Sequence, residues 1–542
     1  MFGVGKLGYL AAVISCLLLV FGCGAEGGNE SSDQASRLRV ALPTDEGPVN
    51  IFAGASEPMT GLVYDKLMAP SPYAEGPQPW LAESVEAVDP STWEVKVREG
   101  VKWHDGEPFT AEDVKFTFEY FVEAPTGTFT HHISEVPHVD EVEIIDEATL
   151  RLNCAYPCPF LGSVTLPFLP IIPQHIWEDV PGDQAATHNE LPVGTGPYKL
   201  VDYGPEKGYR FEANEEYFAG EPLVDELIMP VIQDPTATFT ALRSGELDAA
   251  ARTVPPELLD EFEDSQAIEV VTTDPLQFDE LRLNYEREPF DNPRFRQALS
   301  LAVDRQALVD TILLGQGRPG TQGYPHPDSP WTNPDIEQPF DPDESRRILD
   351  DLDFTDGDGD GIRENGAGEP LEFTIKVAGN EPTQVRDAEL IAEQFAEVGV
   401  ALDVRTLDPA SMTALFDSRD FDIALGTITA HGVADPTQFI MSHRSGYLWD
   451  LPEVPYPEME ALIDEWMQTT TIEERTEVSF EMQALFNEQP TSIVLYYPEE
   501  NLAYRPEAYD RWAESPGYGI LHKWSFLPEE VADEANAVVE RF

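Results

Sequence analysis

The segments LEFTIKVAG (371–379), TQVRDAELIAEQFAEVGV (383–400) and ALDVRTL (401–407) follow one another along the chain. The first and last alternate apolar and polar residues with a period of two, which predicts strands. The middle one carries Ile391, Phe395 and Val398 on one side and stops at Gly399, which predicts an amphipathic helix with a glycine end. Strand, helix and strand in this order pair in parallel, because the helix returns the chain to the edge where it began. FDIALGT (421–427) extends the unit by another strand. This commits the chain to an α/β layer.

The same alternation occurs elsewhere. RLRVALP (37–43) reads as a strand and EPMTGLVYDKLMA as a helix. In TWEVKVREG (92–100), Trp93, Val95 and Val97 alternate as in a half-buried strand. Thr110 and Asp113 form a capping-box pair ahead of a helix that puts Val114, Phe118 and Phe121 on one face. A region rich in Pro and short strands (125–192) precedes VGTGPYKLVDYG (193–204), a strand after a Gly-Thr-Gly turn. A helix ending at Gly245, the strand LRLNY (281–285) and helices over 291–315, the second capped by Asp304, come next. Two late helices and the strand TSIVLYYP (491–498) complete the pattern, with no internal repeat. Two α/β lobes with an inserted region account for it, and ligand then sits in the crevice at the strand ends between lobes.

With 542 residues the chain can build two or three domains. Its formal charge is -68, which excludes nucleic acid as a partner and points to a surface adapted to high salt. LGYLAAVISCLLLVFG (7–22) is terminal and shorter than the roughly 20 residues of a spanning helix, so it reads as an export signal. Cys23 follows it and resembles the lipidated cysteine of exported lipoproteins, ahead of a Gly/Ser-rich tether. The expected location is extracytoplasmic, with the membrane reached through the lipid anchor only. Cys154 and Cys158, in NCAYPCPF, are a candidate disulfide in that compartment and a poor zinc site.

No catalytic constellation emerges. The chain has no G-x-S-x-G or HExxH, and His131, His132 and His138 lack a helical register. Gly315, Gly317 and Gly320 spell G-x-G-x-x-G, but they follow a helix and Pro319 interrupts, so a turn is expected. No enzymatic activity is expected, and an extracellular hydrolase with an acidic pair is the remaining competitor.

WEVKVREGVKWHDGEPFTAEDVKFTFEY (93–120) resembles the signature of the family 5 extracellular solute-binding proteins, the peptide and nickel receptors of ABC importers. VGTGPYKLVDY, NEEYFAGEP, LRSGELDAA, FDNPRFRQALSLAVDRQALVDTILLGQGRP and NEQPTSIVLYY continue the resemblance in order. It implies the periplasmic-binding-protein-like two-lobed α/β fold with an additional inserted domain, the three-domain cluster C type. The segments are then 1–22 signal peptide, 23–37 tether, 38–73 domain I, 74–192 inserted domain II, 193–283 domain I again, 284–494 domain III and 495–542 the C-terminal part of domain I. Crossings near 281–285 and 494–498 would act as the hinge. In this signature Trp93, Trp103 and Phe116 are expected in the domain II core.

The resemblance implies a monomeric receptor that delivers an oligopeptide or similar organic solute to an ABC permease and its ATPase, and an oligosaccharide or nickel complex stays open. Its expected ligand contacts are Thr44, Asp45, Glu46, Asn50, Asn284, His431, Asp435, Tyr447 and Trp449. Where related peptide receptors carry an acid for the peptide's amino terminus, this chain has Gly432, which disfavours dipeptides.

FTDGDGDGIRENG (354–366) stands apart. Asp356, Asp358 and Asp360 take positions 1, 3 and 5 of an EF-hand-like clamp, with Gly361 at 6 and the Ile362 carbonyl at 7. Position 12 is Ala367 where a sensor needs glutamate, so Glu364 or Glu369 would complete the shell. A structural calcium ion tying a helix to a strand is expected, with a solvated Asp-Gly turn as the alternative.

Overall fold

The computed structural model describes residues 35–53, 57–70, 72, 76–123, 139–159, 161–205, 207–273, 277–321, 325–327, 329, 331–337, 339–429, 439–440, 443, 456–515, 519–528 and 531. The strand–helix–strand unit forms as read: Glu372–Ala378 and Ala401–Leu407 pair in parallel through the helix Pro382–Glu397, and Ile423–Thr429 joins in parallel on the other side. Gln277–Leu283 and Ser492–Pro498 add antiparallel strands, and the short Gly317–Pro319 closes that edge. The six strands run 317–319, 492–498, 277–283, 423–429, 372–378, 401–407. Ser492–Pro498 serves two cores, and a bulge in its pairing with Gln277–Leu283, between Val494 and Tyr496, shifts its alternation by one residue. Ile493 and Leu495 face the helices over 293–311 and 382–397, whereas Val494 and Tyr497 face the pair 457–468 and 472–488.

A second sheet has seven strands. Leu38–Ala41 lies at its centre, parallel to Glu226–Met229 on one side and Ala249–Thr253 on the other. Glu500–Tyr504 and Glu269–Thr273 complete one edge. The inserted region is a four-stranded antiparallel sheet, 82–89, 92–97, 149–154 and 139–144 in order, whose core is continuous with that of the seven-stranded sheet. Trp103 is buried there, while Trp93 and Phe116 are half-buried against the same core.

Three details of the sequence reading change. The chain crosses between the large sheets between Thr273 and Gln277, ahead of the expected 281–285, because Gln277–Leu283 already pairs within the six-stranded sheet, and again at Glu499, directly after the expected 494–498. The Gly315–Gly320 stretch turns only at Gly315. Residues 317–319 form an edge strand, where a Cβ on Gly320 would lie 2.4 Å from the Val494 carbonyl oxygen. The box at Thr110 is also modified: its N–H donates to Asp113 Oδ2 at 2.8 Å, and its hydroxyl donates to that same oxygen at 3.1 Å.

The Gly-Thr-Gly turn has a packing reason. A Cβ on Gly194 would come within 1.9 Å of the Val63 carbonyl oxygen, so only glycine fits against the helix Glu57–Val63. His104, from the inserted region's KWHDGEP, holds this turn. Its Nδ1 accepts from Gly194 N–H at 3.3 Å and its Nε2 contacts the Gly196 carbonyl at 2.9 Å. Burial pushes its pKa down to about 4, so the ring stays neutral and serves as a brace. Cys154 and Cys158 are bridged. Among the described residues no helix is long and apolar enough to cross a membrane.

Candidate functional site

The end of the strand Leu38–Ala41 lies beside the start of its parallel neighbour Ala249–Thr253, and a cavity of about 220 Å³ lies along this junction, lined by Val40, Leu42 and Ala249–Ala251. Its walls are mostly apolar: Leu42, Met59, Leu502, Trp512 and Ile520 line it, and its ionisable lining residues are Glu46 and Glu500. It is bounded by the loop that leaves the central strand, by the helix Glu57–Val63 through Pro58 and Met59, and by Trp512 and Gly519–Leu521. Glu500 begins the strand after the second crossing between sheets. Burial pushes its carboxyl up, with Thr273 Oγ1 at 3.5 Å as a weak partner.

The expected contact residues separate into groups. Thr44 and Asp45 are exposed on the loop leaving the central strand, and Glu46 lines the cavity. Asp45 Oδ1 accepts from the hydroxyls of Tyr203 at 2.9 Å and Tyr209 at 3.0 Å, and Tyr209 in turn accepts from Glu46 N–H at 2.8 Å. Desolvation, then the Asp45 carboxylate, pushes Tyr203 up to about 12. Asn50 is buried and gives both amide protons to protein carbonyls, of Ala185 and His188, each at 2.8 Å. Asn284 is buried too and gives its protons to the carbonyls of Arg419 and Phe421. Both amides therefore brace loops. His431, Asp435, Tyr447 and Trp449 lie outside the described residues, as does Cys23.

Sequence reading missed Glu500, Trp512 and the 519–521 segment as parts of this cavity. An acid pair at 499–500, directly after an apolar strand, was the available signal. One contact also reaches across from the six-stranded lobe: Arg386 Nη1 meets Glu257 Oε1 at 2.5 Å. Glu257 sits in the turn Pro256–Leu258 of the seven-stranded lobe.

The acidic loop gathers one carboxylate oxygen from each of Asp356, Asp358, Asp360 and Glu364 within 4.8 Å of one another. Backbone N–H groups shape it. Asp356 accepts from Gly359 and Gly361, Asp358 from Asp360, Asp360 from Ile362, and Glu364 from Gly357. Glu369 stands outside this group and accepts from the Asn365 amide at 2.8 Å. Hard oxygen donors in such a ring fit calcium.

Comparison with known proteins agrees with the topology. Residues 76–448 match the family described as bacterial extracellular solute-binding proteins, family 5 Middle. Protein XP55 of Streptomyces lividans is 31% identical over 389 residues, 71% of this chain and 68% of that protein. The oligopeptide-binding protein AppA of Bacillus subtilis is 26% identical over 467 residues, 82% of each chain. The structure of that AppA in complex with a nonapeptide superposes with a TM-score of 0.77 at 21% identity, covering 91% of this chain and 99% of AppA. The chain belongs to the family 5 bacterial extracellular solute-binding proteins.

Proposed function

We propose that this chain is the substrate-binding receptor of an ABC importer, taking an oligopeptide or related small organic solute between its two large lobes. The observation that carries this reading is the cavity where the end of the central strand 38–41 meets the start of strand 249–253, with Glu500, next to the second crossing between the lobes, in its wall. Closure of the two lobes about the chain crossings that join them would enclose the solute and pair its polar groups. The receptor works outside the cytoplasm as a single chain and hands its solute to a permease with its ATPase. No covalent chemistry is required of any residue.

Purification under gentle conditions, followed by mass spectrometry of the retained solute, tests the assignment. One solute per chain that raises the melting temperature on re-addition is the expected result. Peptide hydrolysis without any such shift would remove the receptor reading.

Two finer features belong to the same proposal. A lipid on Cys23 holds the receptor at the membrane, so a Cys23→Ser chain is expected in the soluble fraction and the parent in the membrane fraction. Calcium bound by Asp356, Asp358, Asp360 and Glu364 braces the six-stranded lobe, because this loop lies between the helix Pro342–Asp351 and the strand Glu372–Ala378.

A further inference from the structure

Asp279, Tyr496 and Asp387 meet inside the six-stranded lobe. Asp279 lies on the strand that enters from the seven-stranded sheet, and Tyr496 lies opposite it on the strand that returns. Asp387 lies on the helix Pro382–Glu397, next to Arg386, whose Nη1 holds Glu257 of the other lobe. Asp387 is 0% exposed.

Counting protons settles the state of this cluster. The Tyr496 oxygen lies 2.5 Å from Asp387 Oδ2 and 3.0 Å from Asp279 Oδ2. A phenol has one proton, so it satisfies only one carboxylate. The Thr427 hydroxyl is already directed at Asp279 Oδ1, and it accepts from the Gln384 amide at 2.9 Å. The arrangement closes if Asp387 carries a proton and donates to Tyr496, which donates to Asp279. Asp387 Oδ1 has no hydrogen-bond partner, which is tolerable for a neutral acid's carbonyl and costly for a buried carboxylate.

The charged surroundings agree. On Asp387's own helix stand Arg386, which lowers its pKa, and Glu381, which faces Asp279 and is countered by Arg252 of the other lobe. The strand 277–283 contributes Asp279, and also Glu280, which is paired with Arg282. The strand 423–429 offers Thr427 and the strand 492–498 offers Tyr496, neither of which supplies a positive charge. Burial, outweighing these, pushes Asp387 up to about 8.

We infer that Asp387, Tyr496 and Asp279 form a proton-binding site that fastens both crossing strands to the helix reaching the opposite lobe, so that losing this proton loosens interlobe closure. Deprotonation leaves two buried negative charges around one hydroxyl, and their repulsion acts on the strands that join the lobes and on the Arg386 contact. It goes beyond the receptor reading, which it needs only for the consequence that solute is held less tightly in alkali.

Infrared difference spectra of the full chain, at about pH 6.5 and about pH 9.5, read the proton directly. Wild type minus Asp387→Asn should show one protonated carboxyl at the lower pH and none at the higher, with half-loss near pH 8. X-ray scattering without solute should show wild type expanding over the same range and Asp387→Asn not expanding. Tyr496→Phe, which keeps the ring and removes the bridging oxygen, should also lose the response, and serves if Asp387→Asn does not fold. Absence of the protonated carboxyl, its persistence in Asp387→Asn, an unchanged expansion in the variants, or a dependence on sodium instead of pH would each overturn the inference. Both measurements omit solute, so their failure leaves the receptor assignment standing, and absence of a retained solute removes that assignment whatever the proton does.

Discussion

Asp65 and Asp387 are both fully enclosed, one in each large lobe, and their surroundings differ in one respect. Asp65 has a cation. Its Oδ1 accepts from Lys523 Nζ at 2.8 Å, Trp80 Nε1 at 2.7 Å and the Tyr217 hydroxyl at 2.9 Å, and its Oδ2 accepts from Thr195 at 3.1 Å. Asp387 shares a phenol with another acid and has an empty oxygen. Desolvation costs each acid several kcal/mol, and only a paired, fully bonded charge recovers that cost. Asp65 is therefore a permanent rivet joining the first lobe's early chain, the edge of the insertion and the C-terminal tail. Asp387 is held by a proton that solvent pH can remove.

The largest effect should come from breaking the rivet. Asp65→Ala takes the carboxylate away from the buried Lys523 ammonium and should cost about 3–5 kcal/mol in denaturant unfolding. The double variant Asp65→Leu with Lys523→Met should recover most of that loss, because no charge is then buried there. If the single variant costs less than about 1 kcal/mol, the contrast between the two acids fails.

Asp387→Asn should act in the opposite direction. With its folded pKa raised to about 8 from an ordinary 3.8, the native state keeps a proton that the unfolded chain has released. Stability is therefore lost steadily as pH rises from about 4 to about 8, and the loss levels off above. The asparagine variant should flatten that slope and gain on the order of 1–3 kcal/mol above pH 8, read from unfolding curves across the range. A parallel slope in both proteins would place the titration elsewhere.

This contrast was invisible in the sequence for a physical reason. Tyr496 is 109 residues from Asp387 and 217 from Asp279, and an acid on an amphipathic helix reads as a solvent-facing residue. What was legible was local. Periodicity placed the strand–helix–strand unit at 371–407, and Asp304 accepts from Ala307 N–H at 2.9 Å as the cap it resembled. The acidic loop was legible too, because alternate aspartates converge through their own turn, but spacing could not choose between Glu364 and Glu369. At the cavity, Glu46 follows directly from the central strand's end. Glu500 does not, because it reaches the cavity through a crossing between sheets, and strand periodicity carries no information on which loop it will face there.

The loop at 356–364 offers a third treatment of clustered acid, with positive charge supplied from solution. Its aspartates are exposed, so the cluster persists without an ion. Calcium at a hundredfold its dissociation constant should add about 2.7 kcal/mol to unfolding. Asp358→Asn and Glu364→Gln should lose that gain, whereas Glu369→Gln should keep it. No calcium-dependent shift in the parent, at salt high enough to screen the acidic surface, would remove the ion.

The smallest stability effect belongs to Arg386 and Glu257, yet it carries the most functional information. The two side chains are 40% and 47% exposed, so solvent screens their attraction and the pair is worth less than about 1 kcal/mol. Glu257→Gln should barely move the melting temperature. The contact joins the two lobes, however, so its loss should fall on the closed state and appear as faster solute release, at most about fivefold. The charge exchange Glu257→Arg with Arg386→Glu should restore slow release, because it rebuilds the contact with the signs reversed. It should also change how release depends on pH, since residue 386 would then face Asp387 as a second acid. Equal release rates in parent and Glu257→Gln, measured with the copurified solute, would mean that the pair accompanies closure without holding it.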